Sequence, residues 1–153
     1  MDQPDNGSEA LIQLLSLRAR NSLDTPPGVF LTLEKAARKH GVSILRNGRG
    51  RACGYVAYAQ LNKESFALFR SRGMLPHNSW EWDEGNFVII ADCMWKNLKF
   101  AECRRQLREA IGRARVIGYI RDGEVKIWSL RNKIFRLVEP EAYAAGRPTC
   151  NQD

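Results

Sequence analysis

Apolar and polar residues recur along the chain with two periods, one typical of helices and the other of strands. Residues 9–20 carry leucine and isoleucine at the spacing of an amphipathic helix. A second helix is predicted over residues 32–40, with Thr32 as its N-cap, and a third over residues 63–72, capped by Asn62. A longer helix is predicted from residue 100 to about residue 115.

Short apolar runs bounded by turn residues predict the strands, at residues 42–45, 52–61, 87–94, 116–121, 124–130 and 134–138. The run at 87–94 is nearly unbroken, which is typical of a central strand buried on both faces. The pattern predicts a single α+β domain, a mixed and mostly antiparallel sheet with helices on its faces. We expect it to span residues 9–140, between a disordered N-terminus (1–8) and a C-terminal tail (141–153).

The charge balance is basic, with 24 Lys and Arg against 17 Asp and Glu, a net charge of +7. This fits nucleic acid, an anionic membrane surface or an acidic protein. No apolar run approaches the length of a membrane span and no signal-peptide pattern is present, so we expect a cytoplasmic protein. The four cysteines form no C-x-x-C pair, so we expect no metal site.

Two features carry candidate chemistry. Asp92 interrupts the apolar strand. It has a partner there, or serves as an acid or base, or caps the turn after the strand. In the helix at 100–115, Arg104, Arg108 and Arg115 fall along one flank of the apolar stripe. That row either docks an acidic surface or is a solvated helix edge.

Three segments in register resemble the toxin-activating (hemolysin-activating) lysine acyltransferases. The first runs from Gly54 to Glu64, with Tyr58 where that family has tryptophan. In the second, Trp82 is followed by Gly85 at +3 and Asp92 at +10, as in the family's approach to its catalytic aspartate. The third is the helix at Leu107 and Arg108, leading into a strand that ends at Ile120 and Arg121.

The resemblance implies an N-acetyltransferase-like fold and a protein-lysine acyltransferase that moves a fatty acyl group from acyl carrier protein to a lysine side chain. It implies a catalytic role for Asp92 and substrate contacts for Tyr58, Trp82 and Arg121, with no bound cofactor. It also gives the arginine row (Arg104, Arg108, Arg115) a partner, because acyl carrier protein is strongly acidic.

The chain departs from the family at two places. The stretch where the family has its catalytic histidine, residues 19–27, contains none, and Ser22 and Asp24 are weak substitutes. Residues 93–97 also replace the motif expected after the aspartate. The protein is therefore a diverged enzyme or a scaffold that has lost the chemistry. The rival hypothesis is a non-catalytic, arginine-rich protein that binds nucleic acid or inhibits a protein partner; a homodimer stays open.

Overall fold

The computed structural model describes residues 6–112, 114–131 and 134–138, and side chains within 6–112 and 114–129. Over these residues the helices are α1 (Asn6–Arg20), α2 (Pro27–Arg38), α3 (Lys63–Arg72) and α4 (Phe100–Ile111), with a short 3-10 helix at Ser79–Trp82. The strands are β1 (Val42–Arg46), β2 (Ala52–Leu61), β3 (Phe87–Trp95), β4 (Val116–Arg121), β5 (Glu124–Arg131) and β6 (Ile134–Val138).

The helix ends follow from local chemistry. The Asn62 side chain accepts a hydrogen bond from the Ser65 backbone N–H, and Gly73 ends α3 in the left-handed conformation, as predicted. The second helix begins at Pro27 rather than Thr32, because proline is already suited to the first helical turn. Thr32 instead donates from its hydroxyl to the Gly28 carbonyl.

Two further helix boundaries differ from the prediction. The first helix starts at Asn6, so residues 6–8 are helical rather than disordered; residues 1–5 and the predicted tail lie outside the described part of the chain. The last helix ends at Ile111, because Gly112 has a φ of 57°. Arg115 consequently lies outside α4, between that helix and β4.

The sheet is mixed and its strands follow chain order, β1-β2-β3-β4-β5-β6. The pairs β1/β2, β4/β5 and β5/β6 are antiparallel, whereas β3 and β4 are parallel. Asp122 and Gly123 both have positive φ, which suits the tight turn that joins β4 to β5. The α+β class and the mixed sheet are thus confirmed.

The chain forms two compact units, each with its own core. The first unit contains residues 1–59 and 90–112, and the second contains residues 60–89 and 113–153. In the first unit α1 and α2 pack together, and the buried residues include Leu14, Leu17, Leu33, Ala36, Leu45 and Tyr55. In the second unit Phe66 stacks on Phe87, with ring centroids 4.4 Å apart, and Phe69, Val88 and Ile127 are buried.

The burial of β3 differs from the prediction. Val88 and Ile89 are buried, but Cys93 and Trp95 are exposed, and Asp92 is half-buried. Only the first half of the strand is therefore a central strand of the predicted kind. In the described residues, no helix has the length and apolar character needed to cross a membrane.

Candidate functional site

Asp92 lies in β3, within the first unit, and one oxygen of its carboxylate holds two partners. Its Oδ2 lies 3.0 Å from Nη1 of Arg18 and 2.5 Å from the Tyr55 hydroxyl. The same Nη1 of Arg18 donates to the Tyr55 oxygen at 2.8 Å. The three side chains come from β3, α1 and β2 and form a closed triangle of hydrogen bonds. Asp92 thus has an ion-pair partner and does not cap the turn after the strand.

Arg18 is the most buried charged residue of this cluster, with 8% of its surface exposed. Its Nε donates to the Thr25 hydroxyl at 3.1 Å, and its Nη2 donates to the Asp24 carbonyl. A buried guanidinium costs free energy unless its N–H groups find acceptors, and these two contacts add to those with Asp92 and Tyr55. Arg18 therefore ties the end of α1 and the following loop to the carboxylate.

The resemblance aligns the loop held by Arg18 with the stretch in which the acyltransferase family has its histidine. Asp24 and Thr25 both contact Arg18, so this segment approaches Asp92 with a single side chain between them. Ser22, in the same loop, adopts a left-handed conformation with a φ of 56°. The two segments that the resemblance pairs functionally are therefore neighbours in space.

Tyr55 is fully buried, and its hydroxyl is a donor rather than an acid. Burial, followed by the hydrogen bond to Asp92, raises the pKa of Tyr55 well above its usual value. The phenol therefore stays protonated at neutral pH. It donates to Asp92 and accepts from Arg18, which fixes the direction of both bonds.

The other oxygen of Asp92, Oδ1, is the chemically available atom of the cluster. No hydrogen bond to it comes from the described part of the chain, and 26% of the Asp92 side chain is exposed. A carboxylate fixed through one oxygen and open at the other can accept a proton or orient a cationic group.

Of the three predicted substrate contacts, Tyr58 belongs to the first unit, and Trp82 and Arg121 belong to the second. Trp82 is buried in the second unit, where its indole N–H donates to the Pro76 carbonyl at 3.0 Å. Tyr58 is buried on β2, three residues after Tyr55 and so on the opposite face of the strand. Burial raises the pKa of Tyr58. Arg121 is exposed at the end of β4, with Asp122 at 3.7 Å.

The arginine row is partly assembled. Arg104 and Arg108 line an open concavity of about 450 Å³ on α4, together with Arg105, whose Nη1 lies 2.8 Å from Glu109. Arg115 is not on the helix, which ends at Ile111, and it belongs to the second unit. The row therefore consists of α4 residues alone, and Arg105 belongs to it although the sequence pattern did not select it.

Two further contacts position α4. Gln106 exchanges two hydrogen bonds with the Arg46 backbone, at 2.9 and 2.8 Å, and so covers the edge of β1. At the start of the helix, exposed Phe100 packs against Trp95, with ring centroids 6.4 Å apart. Phe100, Arg104 and Arg108 are spaced four residues apart, so an aromatic pair and the arginines share one helix face.

The three cysteines in the described part of the chain differ in exposure. Cys93 is exposed and Cys53 half-buried, whereas burial raises the pKa of Cys103 to about 11. Within the described ranges, no group of three or more His, Cys, Asp or Glu side chains could hold a metal ion.

Arg18 and Tyr55 are the site residues that sequence reasoning missed. A signal for Arg18 existed, since it lies four residues after Leu14 on the buried face of α1, where a charged residue needs a partner. Nothing comparable pointed to Tyr55, because a tyrosine in an apolar strand is usual in a core. No family model matches the chain, and no curated protein does.

Proposed function

We propose that the protein is a diverged protein-lysine acyltransferase of the toxin-activating type, with an N-acetyltransferase-like fold. It transfers a fatty acyl group from acyl carrier protein to a lysine side chain. One observation carries the proposal: Asp92 lies beside the loop of Asp24 and Thr25, bridged by Arg18, where the resemblance pairs an aspartate with a histidine. The mixed sheet with helices supports the fold assignment.

In the proposed reaction Asp92 is the catalytic base. The lysine amine attacks the carbonyl carbon of the thioester on the carrier, and a proton passes from the amine nitrogen to Oδ1 of Asp92. As the C–S bond breaks, the carrier's sulfur leaves and takes that proton to become a thiol. The products are the amide and the free carrier thiol. Without histidine, Asp92 performs both transfers, and a general base contributes about 10²–10⁴-fold to the rate of such steps.

Acyl carrier protein is the proposed donor and α4 its docking surface. The concavity carries Arg104, Arg105 and Arg108, and guanidinium groups suit both carboxylates and phosphate. Arg121 and Arg115 are exposed and stay candidates for contacts with the protein substrate and the carrier. Trp82 and Tyr58 support the fold from within, since both are buried.

The test of catalysis is incubation of the protein with acyl-loaded carrier and a candidate target, followed by mass spectrometry of lysine adducts. We expect adducts with the wild type and at least ~100-fold fewer with Asp92→Asn. The matched control is Glu34→Gln, which removes a carboxylate from an exposed pair with Arg38. Adduct yields that are equal for the wild type and Asp92→Asn overturn the proposal.

Docking is tested separately by charge reversal. Arg104→Glu and Arg108→Glu should each raise the KM for acyl carrier protein by about tenfold and leave kcat unchanged, because an exposed charge acts mainly on encounter. Arg38→Glu, a reversal on α2, is the control and should leave the KM within about twofold.

A second candidate function is single-stranded nucleic-acid binding through the same helix. It is favoured by the exposed rings of Trp95 and Phe100 beside the arginines, since stacking rings and cations together hold such strands. Its test is fluorescence anisotropy with a labelled oligonucleotide at 50 and 200 mM salt. Salt-sensitive binding lost in Arg104→Glu, with no lysine adduct from the wild type, would replace the first proposal by this one.

A further inference from the structure

The Asp92 carboxylate is held asymmetrically. Both of its hydrogen-bonding partners, Arg18 and Tyr55, contact Oδ2, at 3.0 and 2.5 Å, and neither contacts Oδ1. A bidentate Arg–carboxylate pair would occupy both oxygens. Here the single nitrogen Nη1 is shared between Asp92 and the Tyr55 oxygen.

The partners are themselves fixed. Arg18 donates from Nε to Thr25 and from Nη2 to the Asp24 carbonyl, so the loop and Asp92 together set its guanidinium plane. The Tyr55 ring is fully buried, and its hydroxyl can donate only towards Asp92 while it accepts from Arg18. Rotation of the carboxylate about its last bond would break two hydrogen bonds at once.

We infer that Arg18 and Tyr55 are positioning residues, which hold Asp92 by Oδ2 so that Oδ1 faces the lysine amine. This inference rests on the proposed function and adds two residues that act through Asp92 without touching the substrate. Misplacement of a reacting group by about 1 Å can cost about 10²-fold in rate, so a carboxylate free to rotate is a poorer base.

The activity test uses conservative variants. Tyr55→Phe removes the hydroxyl and keeps the ring; we expect kcat to fall about tenfold, with the KM for the target within about twofold. Arg18→Lys keeps the charge but cannot contact Asp92, Thr25 and Asp24 together, and should lower kcat further. The control is Tyr119→Phe, which removes a part-buried hydroxyl that accepts from Trp128 at 3.1 Å. It should leave kcat unchanged.

A second measurement does not depend on activity and reports on the hydrogen bonds that link Arg18, Tyr55 and Asp92. In ¹⁵N-edited NMR of the full chain, the Arg18 Nε–H should exchange slowly with solvent, and at least ~10-fold faster in Asp92→Asn. Urea unfolding of each variant identifies any that fails to fold, and Tyr55→Phe is the smaller change of the two.

The outcomes separate the two hypotheses. Adduct formation that depends on Asp92, together with a lower kcat in Tyr55→Phe and a protected Arg18 signal, supports both. The same adducts with a wild-type kcat in Tyr55→Phe and Arg18→Lys, or with an unprotected Arg18 signal, overturn the positioning role alone. A protected Arg18 signal without any wild-type adduct overturns the proposed function and the positioning role with it. The contacts of Arg18 and Tyr55 with Asp92 would then only stabilise the fold.

Discussion

Removal of the Asp92 carboxylate by Asp92→Ala should be among the most destabilising single changes in the first unit. The substitution leaves Arg18, whose side chain is 10% exposed, without its counter-ion, and Tyr55 without its acceptor. Loss of one partner of a fully buried ion pair costs about 3–5 kcal/mol. Asp92 is 26% exposed and Arg18 keeps Thr25 and Asp24, so we expect about 3 kcal/mol.

This value translates into a clear thermal shift. For a chain of this size, 1 kcal/mol corresponds to about 2–4 °C, so the melting temperature of Asp92→Ala should fall by ~6–12 °C. Asp92→Asn keeps an oxygen that can accept from Arg18 or Tyr55, and should lose about half as much.

The assay is urea denaturation followed by tryptophan fluorescence, with the surface pair as its control. Glu109→Ala removes a carboxylate from Arg105 where both side chains are more than 60% exposed, and should cost less than ~0.5 kcal/mol. If Asp92→Ala is no more destabilising than Glu109→Ala, the burial and pairing described for Arg18 are wrong.

Three further predictions follow from single features. Gly41→Ala should lower the free energy of unfolding by about 2 kcal/mol or more, because an added Cβ would meet the Tyr58 carbonyl oxygen. Gly28→Ala is the control and should leave the stability unchanged in urea unfolding, since nothing lies within 4 Å of an added Cβ there. The folded-state pKa of Tyr55 is raised, so the stability that its protonated hydroxyl contributes is complete below about pH 10 and is lost as the pH rises further. The melting temperature should therefore fall less steeply with alkaline pH in Tyr55→Phe than in the wild type. An equal decline in both proteins would contradict this. At pH 8, iodoacetamide should modify exposed Cys93 before buried Cys103, whose pKa is about 11; mass spectrometry showing equal rates would refute this.

Much of the fold could be predicted from the sequence, because helix caps, helix stops and tight turns are encoded by residues next to one another in the chain. The Asn62 cap, the Gly73 stop and the Asp122-Gly123 turn act within a few residues, and the structure contains all three. The errors have physical reasons as well: Gly112 ends α4 before the apolar periodicity does, and Pro27 starts α2 ahead of Thr32.

The site was only half predictable. Asp92 stood out because an acidic residue interrupts an apolar run, which is visible within one segment. Its partners are far away in sequence: Arg18 is 74 residues distant and Tyr55 is 37. Such contacts depend on how α1 packs against the strands, and periodicity within a segment carries no information about that. The predicted arginine row was wrong at Arg115 for a local reason, because α4 ends before the apolar periodicity of the sequence does.

The burial of Trp82 and Tyr58 changes the role that we expected for them from the resemblance. The resemblance suggested substrate contacts for Trp82 and for Tyr58, which stands where the family has tryptophan. Each is at most 4% exposed, and Trp82 satisfies its only donor on Pro76. Their substitution by phenylalanine therefore bears first on stability. Asp92, in contrast, keeps 26% of its side chain exposed, and both of its hydrogen-bonding partners contact Oδ2.

The most direct measurement of the central claim is quantitative mass spectrometry of lysine adducts formed from acyl-loaded carrier protein. It should compare the wild type, Asp92→Asn and Glu34→Gln under identical conditions. We expect adducts for the wild type and Glu34→Gln in equal amounts, and a loss of ~100-fold or more for Asp92→Asn. Equal adduct levels in all three proteins, or none in the wild type, would contradict it.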